Sequence, residues 1–77
     1  MKLTIKGILI KYIQELTDCF GDLMTVYQRT EADMVDVVLL DCKIQNIGNR
    51  ILIVDTCYVD GYCVYIHRPD FISAVIE

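Results

Sequence analysis

Between Val35 and His67 the chain reads VDVVLLDCKIQ, NIGN, RILIVDTCYV, DG and YCVYIH. These are three β-type segments separated by two short turn signals, and together they fill nearly half of the 77 residues. Asn46–Ile47–Gly48–Asn49 supplies residues that tolerate positive φ. Asp60–Gly61 is the dipeptide favoured in type I′ hairpins. An antiparallel meander follows from this pattern.

The two turns set a register. With 46–49 as a four-residue loop, Gln45 faces Arg50, Ile44 faces Ile51 and Cys42 faces Ile53. With Asp60–Gly61 as a two-residue loop, Val59 faces Tyr62, Cys57 faces Val64 and Asp55 faces Ile66. Side chains alternate between the faces of a strand. One face then carries Val38, Leu40, Cys42, Ile44, Ile51, Ile53, Cys57, Val59, Tyr62, Val64 and Ile66, with Asp55 as its polar exception. That face is expected to receive a helix. The other carries Val37, Leu39, Asp41, Lys43, Arg50, Leu52, Val54, Thr56, Tyr58, Cys63, Tyr65 and His67. A solvated face should be mostly polar. The band of Val37, Leu39, Leu52, Val54, Tyr58 and Tyr65 is instead what a partner covers, since contiguous exposed apolar patches and tyrosines mark interfaces. The competing reading is that the tail covers it. Pro69 ends the last strand, and Asp70–Glu77 (DFISAVIE) reads as a short helix capped by Asp70 or as a strand.

Upstream, Ile5, Ile8, Leu9, Tyr12, Ile13 and Leu16 fall on one helical stripe. Thr4 suits the N-cap, Leu3 and Ile8 suit a hydrophobic staple, and Gly21 suits the position after the helix end. A helix over about 5–19 is predicted. The rival reading makes Met1–Lys6 a strand, because Leu3 and Ile5 alternate with polar residues. Leu23–Gln28 reads as a short strand, and Arg29–Asp33 as a loop.

A chain of this length forms one domain and has little core to stabilise it. Its hydrophobic content is 55%, above the usual ~45–50%. That excess favours either a dense core or a covered face, and a second copy is the simplest cover. The net charge is −4, which disfavours capture of a nucleic-acid backbone. Acids concentrate between Glu15 and Asp41, where Arg29 is the one base. That sector suits a basic protein surface, or simply a solvated rim.

The four cysteines are Cys19, Cys42, Cys57 and Cys63. Lys6 and Lys11 interrupt the apolar opening, so no signal-peptide core is read there. No run approaches the ~20 apolar residues of a membrane span. A reducing cytoplasmic setting follows, with the cysteines as small apolar residues. Zinc is not expected: there is no C-x2-C pair, and the register sets Cys63 and His67 on one face with Cys42 and Cys57 on the other. A Cys57–Cys63 disulfide fails for the same reason. Cys63 and His67 are about 13 Å apart along a strand, too far for a nucleophile–base pair. No cofactor or enzymatic function is predicted. Tyr58 and Tyr65 near Lys43 and Arg50 resemble a base-stacking platform, but Asp41 shares that face and no RNP-type motif is present.

The opening MKLTIKGILIKYIQEL, the strand LMTVY, the acidic stretch and the hairpin DVVLLDCKIQNIGNRILIVD look like the layout of small accessory proteins of phages and mobile elements. That group includes anti-CRISPR-type inhibitors. The resemblance implies a role in blocking a host defence nuclease by occupying its binding surface, in the host-cell cytoplasm.

The expected architecture is therefore α+β: one N-terminal amphipathic helix on a four-stranded, mainly antiparallel meander, with a short C-terminal helix or strand. The expected function is a non-enzymatic interaction module, with Glu31, Asp33, Asp36 and Asp41 facing a basic groove. A homodimeric module paired through the second sheet face is the alternative, and a single-stranded nucleic-acid binder comes third.

Overall fold

A computed structural model describes residues 1–31, 33–54 and 63–77. Among the described residues the fold is α+β, with one α-helix and two antiparallel sheets. Strand β1 (Leu3–Leu9) leads through a 3₁₀ turn (Ile10–Tyr12) into helix α1 (Ile13–Phe20) and a second 3₁₀ turn (Gly21–Leu23). Strands β2 (Met24–Gln28), β3 (Met34–Leu39), β4 (Lys43–Ile47), β5 (Arg50–Val54), β6 (Cys63–His67) and β7 (Ser73–Ile76) follow. One sheet has four strands in the order β2-β3-β1-β7, and the other has three in the order β4-β5-β6.

The helix expected over 5–19 is corrected at its first half. Leu3–Leu9 is a strand, hydrogen-bonded to β3 on one side and β7 on the other. Gly7 in a helix interior would cost about 1 kcal/mol relative to alanine. In the strand, Gly7 instead supplies φ +68 for a bulge. Leu3 and Ile5 point into the core in strand alternation, as the rival strand reading requires. The end of the stripe is helical: Ile13 and Leu16 lie in α1, where Leu16, Cys19 and Phe20 are buried at the spacing of one helix face. Gly21 ends the helix at φ 52.

Both β1 and β2 run antiparallel to β3, so they are parallel to each other with β3 between them. Such strands need a long crossover rather than a hairpin, and residues Ile10 to Leu23 provide it. A helix of eight residues is marginal alone in water. Its stability comes from the buried Leu16, Cys19 and Phe20, which share one core with Leu3, Ile5 and Ile8 of β1 and Val35, Val37 and Leu39 of β3. Cys42, Ile51, Ile53, Val64 and Ile66 join the same core from the second sheet and its approach.

The long strand expected from Val35 is broken. β3 ends at Leu39, the chain bends at Leu40–Asp41, and β4 starts at Lys43 in the other sheet. At the corner Leu40 N–H donates to the Leu23 carbonyl and Cys42 N–H to the Met1 carbonyl, both at 2.9 Å. Inward positions change from odd (Val35, Val37, Leu39) to even (Cys42, Ile44) across this bend. The assigned faces are therefore inverted before the corner and correct after it. Val37 and Leu39, expected on the partner face, are fully buried core residues. Leu40, expected inside, is exposed.

β4, β5 and β6 do form the meander. The first turn is tighter than expected: Ile47 pairs with Arg50 and Ile44 with Ile53. Gly48 takes φ 59 while Asn49 stays at negative φ, which suits a type II′ turn with glycine first. In the second pairing Leu52 faces Tyr65 and Ile53 faces Val64. Both pairings differ from the expected ones by an even number of residues, so every side chain keeps its face. The expected Asp60–Gly61 turn, with Asp55, Thr56, Cys57, Val59 and Tyr62, lies outside the described residues. The tail is a strand, as one reading had it. β7 adds to the edge of the four-stranded sheet beside β1, so those residues do not cover the outer face of β4–β6.

Replacing Gly7 with alanine tests the bulge. A Cβ there would run into the Ile72 side chain, but Ile72 is exposed and can yield. The positive φ remains, and it costs an L-residue about 1–2 kcal/mol. Urea unfolding should show that loss for Gly7→Ala, and adding Ile72→Ala should not recover it.

Candidate interaction surface

The outer face of β4–β5–β6 carries Lys43, Gln45 and Ile47 from β4, Arg50 and Leu52 from β5, and Cys63, Tyr65 and His67 from β6. This follows from alternation, because Ile51, Ile53, Val64 and Ile66 are buried on the opposite side. Leu52 is flanked in register by Gln45 and Tyr65, and it is only 9% exposed although it points away from the main core. Tyr65 is 49% exposed. The Arg50 guanidinium lies 5.6 Å from the Tyr65 ring centroid. The two residues are diagonal neighbours across the strand pair, a separation that long side chains span. At an exposed site this cation–π contact contributes about 0.5–1 kcal/mol, enough to favour one orientation of the ring. Val54 is placed in β5 opposite Cys63. Tyr58 lies outside the described residues.

The acidic residues are divided among different tasks. Arg29 reaches Glu31 through Nε at 3.2 Å and Asp36 through an Nη at 2.9 Å. The same Asp36 oxygen accepts the Gly7 N–H at 3.0 Å. At the bulge Lys6 and Gly7 oppose Asp36 alone, since Ile5 pairs with Val37 and Ile8 with Val35. Such an insertion removes an amide from the strand ladder, and the Asp36 carboxylate accepts it. The Arg29 hydrogen bond, then the Gly7 amide, hold the Asp36 carboxyl below the usual carboxylate range. Glu31 is lowered mainly by its own hydrogen bond from Arg29. Asp36 therefore fastens the fold, and Glu31 shares its countercharge. Asp41 pairs with the Met1 amino group at 3.0 Å. Asp33 is exposed, and its carbonyl accepts the Ile10 N–H at 3.0 Å.

Two further groupings were not foreseen. At one end of the molecule the Tyr12 hydroxyl donates to Asp70, Lys11 lies 3.4 Å from the same carboxylate oxygen, and the His67 N–H donates to the Tyr12 oxygen at 3.3 Å. Burial, then the bond to Asp70, raises the Tyr12 pKa, while the Tyr12 hydroxyl is the chief influence lowering that of Asp70. This knot ties the entry of α1 to the end of β6. Its members are far apart in sequence, so no local pattern announces it. The second grouping is the outer face of the four-stranded sheet. Thr25, Val38, Thr4 and Val75 align across its strands, with Tyr27 nearby on β2. A one-residue shift in the assigned face of β3 would have disclosed it.

Cys19 and Cys42 are buried and Cys63 is exposed, while Cys57 lies outside the described residues. Among the described residues no group of three or more histidine, cysteine or acidic side chains is placed to hold a metal ion. No helix among them is long and apolar enough to cross a membrane. No protein-family model matches the chain, and no curated protein or solved structure matches it.

The Asp36 cluster makes stability depend on pH. With the folded-state pKa below that of the unfolded chain, the unfolded state binds more protons on acidification, so stability rises with pH. The contribution is whole above the ordinary aspartate value of 3.8 and is lost as pH falls through the depressed folded value. Urea midpoints measured from neutral pH into this acid range should fall for the wild type. Asp36→Asn should lower the midpoint at neutral pH and flatten the acid decline. An unchanged slope in Asp36→Asn would remove Asp36 as its source.

Proposed function

We propose that this chain is a non-enzymatic protein-interaction module that engages its partner through the outer face of β4–β5–β6. The observation that carries this reading is the pair of exposed residues Tyr65 and Arg50 beside the buried Leu52 on one outer sheet face, with the tyrosine ring oriented by the guanidinium. Tyrosine and arginine are enriched among residues that dominate interface energetics. A ring held in place also loses less side-chain freedom on binding. Lys43 and Arg50 on this face favour a partner patch that is apolar at its centre and acidic at its rim.

A narrower form of this role is inhibition of a nucleic-acid-handling enzyme, such as a host defence nuclease. The support for it is an acidic sector facing a basic groove. That support is reduced, because Asp36 is committed to the β1 bulge and Glu31 is paired with Arg29. The competing reading is single-strand nucleic-acid binding, favoured by the cation–aromatic pair beside Lys43 and opposed by the net charge of −4.

Affinity capture with three baits separates these readings. They are the wild type, Arg50→Ala/Tyr65→Ala, and a control altered on the other sheet, Tyr27→Ser. A partner retained by the wild type and Tyr27→Ser but lost by the double variant, and reconstituting as a defined complex when purified, would support the proposal. A partner bound equally by all three would sink it. Fluorescence anisotropy with short single-stranded DNA and RNA gives the other arm. Binding that weakens about tenfold or more in the double variant and falls steeply with salt would favour nucleic acid.

A further inference from the structure

The free edge of β7 has a self-complementary pattern. β7 is the last strand of its sheet, and no strand lies beyond it among the described residues. Glu77 N–H donates to the Lys2 carbonyl at 2.9 Å, and the register sets Val75 opposite Thr4 and Ser73 opposite Lys6. Strand alternation then turns the N–H and C=O groups of Ala74 and Ile76 away from β1. Edge strands are commonly blunted by lysine, proline or a bulge. Ser73–Ile76 has none of these. Two of its side chains are apolar and exposed, Val75 at 51% and Ile76 at 43%.

We propose that β7 pairs antiparallel with β7 of a second copy about a two-fold axis through Val75, joining the two four-stranded sheets into one continuous sheet. Ala74 then faces Ile76 of the second copy and exchanges both backbone hydrogen bonds with it, and the small alanine leaves room for the isoleucine. Val75 faces its own counterpart. Ser73 faces Glu77 of the second copy. Lys6 lies on the far side of Ser73, so Lys6 and that Glu77 are two strand spacings apart, about 10 Å between Cα atoms, within reach of two extended side chains. Glu77 already lies 3.7 Å from Lys2 of its own chain. In the dimer each Glu77 sits between its own Lys2 and the other copy's Lys6. This charge complementarity selects a second copy as the occupant. The contact is short and falls below the ~1,200 Å² of standard interfaces, so association is weak and depends on concentration. It uses residues distinct from the Tyr65 face, and it can fail or stand independently of that reading.

Light scattering coupled to size exclusion, over a series reaching high micromolar concentration, tests this on the full chain. The wild type should approach twice the monomer mass. Val75→Lys, which sets like charges across the axis at an exposed position, should weaken association by about tenfold or more. Lys6→Glu alone and Glu77→Lys alone should each weaken it, whereas their equimolar mixture should form one-to-one dimers, because each then supplies the charge that the other lacks. A wild type that stays monomeric throughout, or a mixture no more associated than its components, would overturn the proposal. A dimer that survives Val75→Lys but is lost in Arg50→Ala/Tyr65→Ala would place the contact on the other sheet and overturn it equally. Circular dichroism of each variant confirms that a loss of association is not a loss of fold.

Discussion

The bulge at Gly7, held by Asp36, sets how β1 meets the core. Leu3 and Ile5 point inward from odd positions, while Ile8 points inward from an even one. A regular strand cannot do this, because its faces alternate strictly. One inserted residue resolves the conflict, and it needs two things: a residue that accepts φ +68 and a partner for the displaced amide. Gly7 is the first. The Asp36 carboxylate is the second, and Arg29 neutralises it. Three residues distant in sequence thereby let β1 serve as a central strand along its whole length and deliver the chain to the crossover helix.

A second change of parity occurs at Leu40–Cys42 and has a different physical origin. There the chain leaves one sheet for the other, and the corner is closed by the Leu23 and Met1 carbonyls. Val35–Leu39 faces the core against β1 and β2, while Cys42 and Ile44 face the same core from the other sheet. The two parity changes together explain how one short chain closes two sheets and a helix on a single core. They also leave two outer sheet faces, one marked by Tyr65 and Arg50 and the other by Tyr27, Val38 and Val75.

The acidic sector shows how fold and surface compete for the same side chains. Read along the chain, Glu31, Asp33, Asp36 and Asp41 are one block of like charge. In three dimensions Asp36 fastens the β1 bulge, with its side chain 25% exposed. Glu31 leans on the same arginine, and Asp41 meets the Met1 amino group. The charge that a partner would encounter is smaller than the count of acids suggests. On the face of β4–β6, by contrast, Arg50 is turned toward an aromatic ring and stays exposed to solvent.

The α+β class, the antiparallel order of β4–β5–β6, the strand at Met24–Gln28, the end of the helix at Gly21 and the inward set Ile51, Ile53, Val64 and Ile66 were all legible in local sequence. These rest on local signals: turn dipeptides, alternation, a glycine after a helix. The turn-derived registers were off by two and by four residues, and alternation made those errors harmless to the faces. Long-range contacts make Leu3–Leu9 a strand, bury Val37 and Leu39 in the core, and bring the Asp36 carboxylate to an amide of β1. A stripe such as Ile5, Ile8, Leu9 satisfies helix spacing, and it also satisfies a strand with one bulge. The choice falls to the neighbours: strands on both sides of β1 satisfy its backbone, and a carboxylate 29 positions away along the chain accepts the amide that the bulge displaces.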